Sequence, residues 1–318
     1  MSKVTGKDLE KLIESMFGDS NIVVKEDVPP PVLPDMETKN MELKLPKFAL
    51  SDEWGNPDSE DRETIRLFTS NIQGNTIGEK ITNINDFVSD CDESCVDGKQ
   101  VSDILSNLII LDSLSSLISD YNPLTGGFLM ESFLSGLLGG QSRQIKADKG
   151  KIEDIYAYKG KPLSVKFLVS GTDIKGSARL INNYIEQNNE PITYLLIQKQ
   201  REEQGEQQVT IGLKFYTFTI GNDEVVGDFS VNQMPLDQDD VIPVATEIAT
   251  LDFGTKEQLK AIANKYVDRL GERVLVIFDE LDQLTKNINK YLVGGDKSAG
   301  SQASSNAETL KVKINQEI

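Results

Sequence analysis

Three side chains of this 318-residue chain have the types and spacing that metal-assisted phosphodiester hydrolysis requires: Glu131, Asp154 and Lys166. Two carboxylates can hold a hard divalent cation that polarises a phosphoryl oxygen. A lysine beside them orients or helps deprotonate the attacking water and offsets charge in the transition state. Asp154 and Glu131 are then the candidate metal ligands, and all three residues form the candidate catalytic set. The same residues also have two plainer readings: a buried Asp154–Lys166 ion pair kept for core specificity, or a strand lysine with no chemical task. The chain has no histidine, which removes imidazole general bases, His-based triads and His-containing metal sites.

Three elements must position these side chains. Glu131 lies in TGGFLMESFLSGLLGG, a helix opened by Thr125 and closed by Gly139 and Gly140. Asp154 lies in KIEDIYAY and Lys166 in PLSVKFLV, two strand candidates separated by the turn Lys159-Gly160-Lys161 and read as a hairpin. Alternation puts Ser164, Lys166 and Leu168 on one face of the second strand, with Leu163, Val165 and Phe167 on the other. A lysine in the middle of an apolar strand calls for a partner, and Asp154 on the neighbouring strand is the natural one. Glu153 is a poorer second carboxylate because alternation turns it away from Asp154.

Around this hairpin the texture is globular. VSDILSNLIILDSLSSLISDY carries an apolar stripe wide enough to demand burial, so it reads as a core helix. After the hairpin come the helix IKGSARLINNYIEQ, opened at Thr172 or Asp173, and the short buried strand ITYLLIQK. A polar turn, REEQGEQQ, leads into the strand VTIGLKFYTFTI. The segment LVIFDE, residues 275–280, imitates the acidic strand of a phosphate-loop ATPase. However, no G-x-x-x-x-G-K-[ST] accompanies it, and its apolar pattern continues at helical spacing.

The order helix, strands, helix, strand, with Glu131, Asp154 and Lys166 at these places, resembles the PD-(D/E)XK superfamily of restriction-endonuclease-like proteins. The resemblance implies an α/β fold, a restriction-endonuclease-like core with a central mixed sheet flanked by helices. It also implies Asp154 at the first motif position, Lys166 at the lysine position and Glu131 as the helix acid. One position departs from the pattern: the middle acid of (D/E)-x-K is Ser164 here. Glu131 or Glu153 must then supply the second carboxylate, or the site is inactive. The run GGFLMESFLSGLLGG, followed by the SVKFL strand and a KGS helix start, also resembles virion proteins of large T4-like bacteriophages of marine bacteria. This implies a non-enzymatic structural or adaptor protein, made in the host cytoplasm and located in the virion. Its partners would be other virion proteins or copies of itself, with no cofactor. The alternative is a magnesium-dependent endonuclease, for which the partner is DNA.

Four segments follow: an N-terminal amphipathic helix in 1–20, a proline-rich acidic extended arm over 21–99, the nuclease-like α/β core over 100–254 and a helical C-terminal extension over 255–318. The arm reads either as a solvated, partly disordered tail or as a segment that orders only against a partner through Val32, Leu33, Met41, Leu43, Leu45 and Phe48. In the tail, TKEQLKAIANKYVDRLG and ERVLVIFDELDQLTKNINKYLVGG read as helical, and GGDKSAGSQASS reads as a linker to a last helix. The net charge of −18 repels phosphate backbones and argues against general nucleic-acid coating. Cys91 and Cys95 are expected to be free thiols. No 18-residue apolar run or leader-like segment is present, so no membrane partner is expected.

Overall fold

Alternating apolar residues in PLSVKFLV, ITYLLIQK and IGLKFYTFTI build a seven-stranded mixed sheet in the computed structural model. The structure describes residues 50–317 apart from 90–98, 121–122, 146–149, 158–159 and 205–206. These residues belong to one unit, Glu42–Ile318. The expected helix in 1–20, the six apolar anchors of the arm, and Cys91 and Cys95 all lie outside the described residues.

The strands are β1 (Arg143–Gln144), β2 (Ile155–Tyr156), β3 (Pro162–Val169), β4 (Ile192–Gln204), β5 (Gln207–Gly221), β6 (Phe229–Ser230) and β7 (Thr246–Asp252). Their order is β1-β2-β3-β4-β5-β6, with β7 paired to a separate stretch of β5. β2 and β3 pair antiparallel, with Ile155 opposite Leu163. β3 and β4 run parallel from Ser164 opposite Tyr194 to Val169 opposite Lys199. That parallel step needs a crossover, which helix α5 (Ala178–Asn188) supplies. β4 and β5 then form a long antiparallel hairpin.

Strand periodicity sorts the side chains into two cores. Val165, Phe167, Leu195, Ile197, Leu213, Phe215, Ala249 and Leu251 face the first, with helices α1 (Glu60–Thr69), α2 (Ile77–Ser89), α3 (Val101–Asp120) and α4 (Pro123–Leu138). Tyr194, Leu196, Tyr216, Phe218 and Ile220 face the second, against Ile181, Tyr184 and Ile185 of α5. The short helix α6 (Gln238–Val241) adds Val241 to this layer. The chain is therefore α/β, with helices on both faces of an open mixed sheet.

Helices α3 and α4 are apolar nearly all round, which suits the centre of a domain. The stretch Val101–Ile118 is long and apolar enough to cross a membrane, but here Ile104, Leu108, Ile110, Leu111, Leu114 and Leu117 are buried in the protein. Its buried polar residues return to their own helix. Ser106 Oγ, Asn107 Nδ2 and Ser113 Oγ donate to the carbonyls four residues back, at 2.6, 2.9 and 2.9 Å.

The described part of the supposed arm is folded, which corrects the boundary at residue 100. Residues 50–89 form a 3-10 turn (Asp52–Gly55), α1 and α2, and they bury Trp54, Ile65, Ile72, Ile81, Ile84 and Phe87 in the first core. The signals are local. Ile77, Ile81, Ile84 and Val88 recur at helical spacing, Ser59 Oγ caps α1 by accepting from Arg62 N at 3.1 Å, and Thr76 Oγ1 accepts from Glu79 N at 3.2 Å. The prolines that suggest an arm lie almost entirely before residue 50, and this segment itself holds only Pro57. Two buried cations then fasten the segment. Arg62 donates to Trp54 O and, at 2.8 Å, to Ser142 O, and its burial brings the guanidinium down to about 10. Lys80 donates to Thr69 O at 2.8 Å and Ile72 O at 2.7 Å, which satisfies carbonyls at the end of α1.

The C-terminal region is helical but differs in detail. Helix α7 (Lys256–Gly294) runs through Gly271 without a break and ends at Gly295, whose φ of 68° is the left-handed cap that glycine favours. Its first turns belong to the core. Leu259, Tyr266 and Leu270 are buried, and the Tyr266 ring stacks on Phe87 at 4.0 Å while its hydroxyl donates to Phe87 O at 2.8 Å. The supposed Gly/Ser linker is mostly helical as well, forming the start of α8 (Lys297–Glu317).

Candidate functional site

β2 stays paired with β3 for two residues, and Asp154 stands where the two strands part. Its backbone N–H still donates to Leu163 O at 2.8 Å, and its carbonyl accepts from Ile145 N at 2.8 Å in the β1 direction. The next rung comes from a side chain: Val165 N–H donates to Asp154 Oδ2 at 2.7 Å. Ser164 Oγ donates to the same oxygen at 3.1 Å, and Lys166 Nζ lies 3.5 Å from it. Lys166 Nζ also donates to Ser164 Oγ at 3.0 Å and Val165 O at 3.2 Å. One ammonium therefore sits among three oxygens, and one carboxylate oxygen takes two hydrogen bonds and an ion pair. The pair is partly open to solvent, with side-chain exposures of 21% for Lys166 and 28% for Asp154, so its Coulombic contribution to stability is small.

Glu131 reaches this place from α4. Gln144 of β1 donates from Nε2 to Glu131 Oε2 at 2.8 Å and to Phe128 O at 3.0 Å, while Ser132 Oγ donates to Gln144 Oε1 at 2.6 Å. Burial, reinforced by the Asp154 charge, pushes the Glu131 carboxyl up to about 8, against the opposing pull of the Gln144 hydrogen bond and the Lys166 charge. All three named residues thus belong to one electrostatic cluster. Glu153 does not join it. Its Oε2 accepts from Ile152 N at 3.0 Å, and its charge acts on Tyr184 of α5.

Two further residues shape the cluster. Tyr194 is the parallel-strand neighbour of Ser164, and its ring lies 5.4 Å from Lys166 Nζ, within cation–π range. Its hydroxyl is buried and is pushed up to about 12 by that burial, with the Asp154 charge adding to the rise and Ser164 opposing it. Gly176 leaves room for it, since a Cβ there would stand 2.5 Å from the Tyr194 oxygen. Strand register would have found Tyr194. Gln144 carries no comparable signal, because β1 is only two residues long.

The donor set is all oxygen, as a hard cation prefers: the carboxylates of Asp154 and Glu131, the Ser164 hydroxyl and the Val165 carbonyl. The fit is incomplete in charge. Among the described residues no group of three or more acidic, cysteine or histidine side chains is placed to hold a metal. Glu131 must lose its proton before it can ligate, and Asp154 has only Oδ1 clear of the donors that crowd Oδ2. Comparison of the chain with family models, curated proteins and solved structures returns no match.

Proposed function

We propose that this chain works through its surfaces, as a non-enzymatic structural or adaptor protein of a phage particle, on a core of restriction-endonuclease-like design. The observation that carries this reading is the helical hairpin α7–α8. It leaves the sheet domain after Leu270 and exposes Leu275, Phe278, Leu281, Ile288, Leu292 and Val293, side chains that a solitary protein gains nothing by showing to water. The Asp154 network supports the non-enzymatic half of the reading, because Ser164, in place of an acid, helps occupy the oxygen that a metal would need. The test is mass spectrometry of gradient-purified particles from infected cells that express the gene. Recovery at constant stoichiometry through successive gradients is expected, and loss from the particle fraction would reject the reading.

A magnesium-dependent endonuclease is the second reading, and one observation favours it. Glu131, Asp154 and Lys166, drawn from a helix and two strands, share one electrostatic cluster, and a carboxyl held near 8 by its surroundings is common at working sites. In that case Asp154 and Glu131 hold the cation and Lys166 orients the water. Incubation with duplex DNA in magnesium or manganese separates the two readings. Cleavage abolished by both Asp154→Ala and Lys166→Ala would reverse their order; the first reading expects none.

A further inference from the structure

Helix α7 carries two seams, one mixed and one apolar. The first is taken by α8. Glu280 pairs with Lys313 at 2.8 Å, Asn287 Nδ2 donates to Asn306 Oδ1 at 3.0 Å, and Gly300 lies against the Tyr291 ring, where a Cβ would stand 2.8 Å from a ring carbon. The α8 face that meets this seam buries Ala299, Ala303 and Leu310. The second seam is Val274, Phe278, Leu281, Thr285, Ile288 and Leu292, with the alternating four-and-three spacing of a coiled coil. Its members 281, 288 and 292 each follow a residue of the first seam by one position, so it lies about 100° round the helix from α8. It is uncovered: Phe278 is 46% exposed, Leu281 44% and Leu292 70%.

We infer that this second seam joins α7 to α7 of a second copy of the chain, giving a two-fold homodimer. The inference deepens the assembly reading, on which it rests, by naming the partner. Two observations select a second copy. The spacing is self-complementary, since a heptad seam offers both the knobs and the holes that an identical seam requires. The area is also adequate. The exposed seam members Phe278, Leu281, Ile288 and Leu292 present on the order of 400 Å² of apolar surface, about half of the roughly 800 Å² that each partner gives to a standard interface, and the flanking Leu275 with a polar rim supplies the rest. Thr285 is the one polar residue in the seam. Its hydroxyl donates to Leu281 O at 2.8 Å, so it enters the interface with its donor already used.

The test is light scattering after size exclusion on the full chain at tens of micromolar, with Phe278→Lys and Leu281→Lys as seam variants and Gln283→Lys as the control on another face of α7. The expected result is a mass twice that of the chain for the wild type and the control, falling to the single-chain mass in both seam variants. Phe278→Gln, a milder change, guards against loss of fold and should weaken the dimer at least tenfold while circular dichroism is unchanged. A monomeric wild type would overturn the inference and assign the seam to a different protein, leaving the particle test of the assembly reading untouched. A dimer that survives the seam substitutions would also overturn it.

Discussion

Lys80 and Lys166 both place an ammonium group inside the sheet domain, and they do so by opposite means. Lys80 is 5% exposed and meets backbone oxygens, Thr69 O and Ile72 O, that would otherwise be orphaned at a helix end. Burial brings it down to about 8, a cost tolerated because the lysine ties α1 to α2. Lys166 is less buried and sits among side chains that can themselves change charge or move: Asp154, Ser164 and, electrostatically, Glu131. A cation that answers fixed carbonyls is part of the frame. One held in a cluster of ionisable and rotatable groups is adjustable, so the Lys166 cluster is where chemistry or ligand binding would be sought.

The largest expected effect tests the frame side of this contrast. Lys80→Met removes both donors and leaves two carbonyls unsatisfied, which should lower stability by about 2–4 kcal/mol. Lys166→Met should change it by about 1 kcal/mol or less, since a partly exposed pair contributes little. Urea unfolding of both variants checks this, and equal losses would remove the distinction.

A pH series sharpens the contrast. The Glu131 carboxyl is raised in the folded chain, so the folded state holds more protons than the unfolded one between about 4.5 and 8, and its contribution to stability is lost as pH rises through that window. Glu131→Gln should erase that decline, a gain on the order of 2–3 kcal/mol relative to wild type by pH 8. Lys80 acts in the opposite sense at higher pH. Its value is depressed, so wild-type stability should rise from about 8 toward the ordinary lysine value of 10.5, and Lys80→Met should lack that rise. Unfolding midpoints measured at half-unit pH intervals would show both slopes.

Ser164→Ala is a small change of the same order as Lys166→Met. Asp154 Oδ2 keeps Val165 N–H and Lys166, so a loss of about 1 kcal/mol is expected. A loss above about 3 kcal/mol would place the cluster in the rigid frame after all.

Much of the fold is legible because period-two and period-3.6 patterns report which faces are buried. The β2–β3 pairing and the β4–β5 hairpin follow from the alternation of Val165, Phe167, Leu195, Ile197, Leu213 and Phe215, and α4 from the stop at Gly139 and Gly140. Residues 50–89 are not legible in the same way. Their acids, and the prolines of the stretch before them, suggest an arm, while the decisive contacts, Arg62 to Ser142 O and Tyr266 to Phe87 O, join residues 80 and 179 positions apart. The site divides along the same line. Asp154 and Lys166 face each other through local strand geometry, whereas Gln144 and Tyr194 enter through register and helix packing that residue types alone do not encode.

The unbroken course of α7 through Gly271 makes the hairpin a spacer. At 1.5 Å per residue, the stretch from Leu270 to Gly294 reaches about 36 Å beyond the last buried contact with the core. Anything held near its tip stands clear of the Asp154 cluster, and the two places share no side chain. Turns could be added to or deleted from this rod, or its tip re-specified for another neighbour, with the sheet domain left intact, so that reach and core stability can vary independently within one chain.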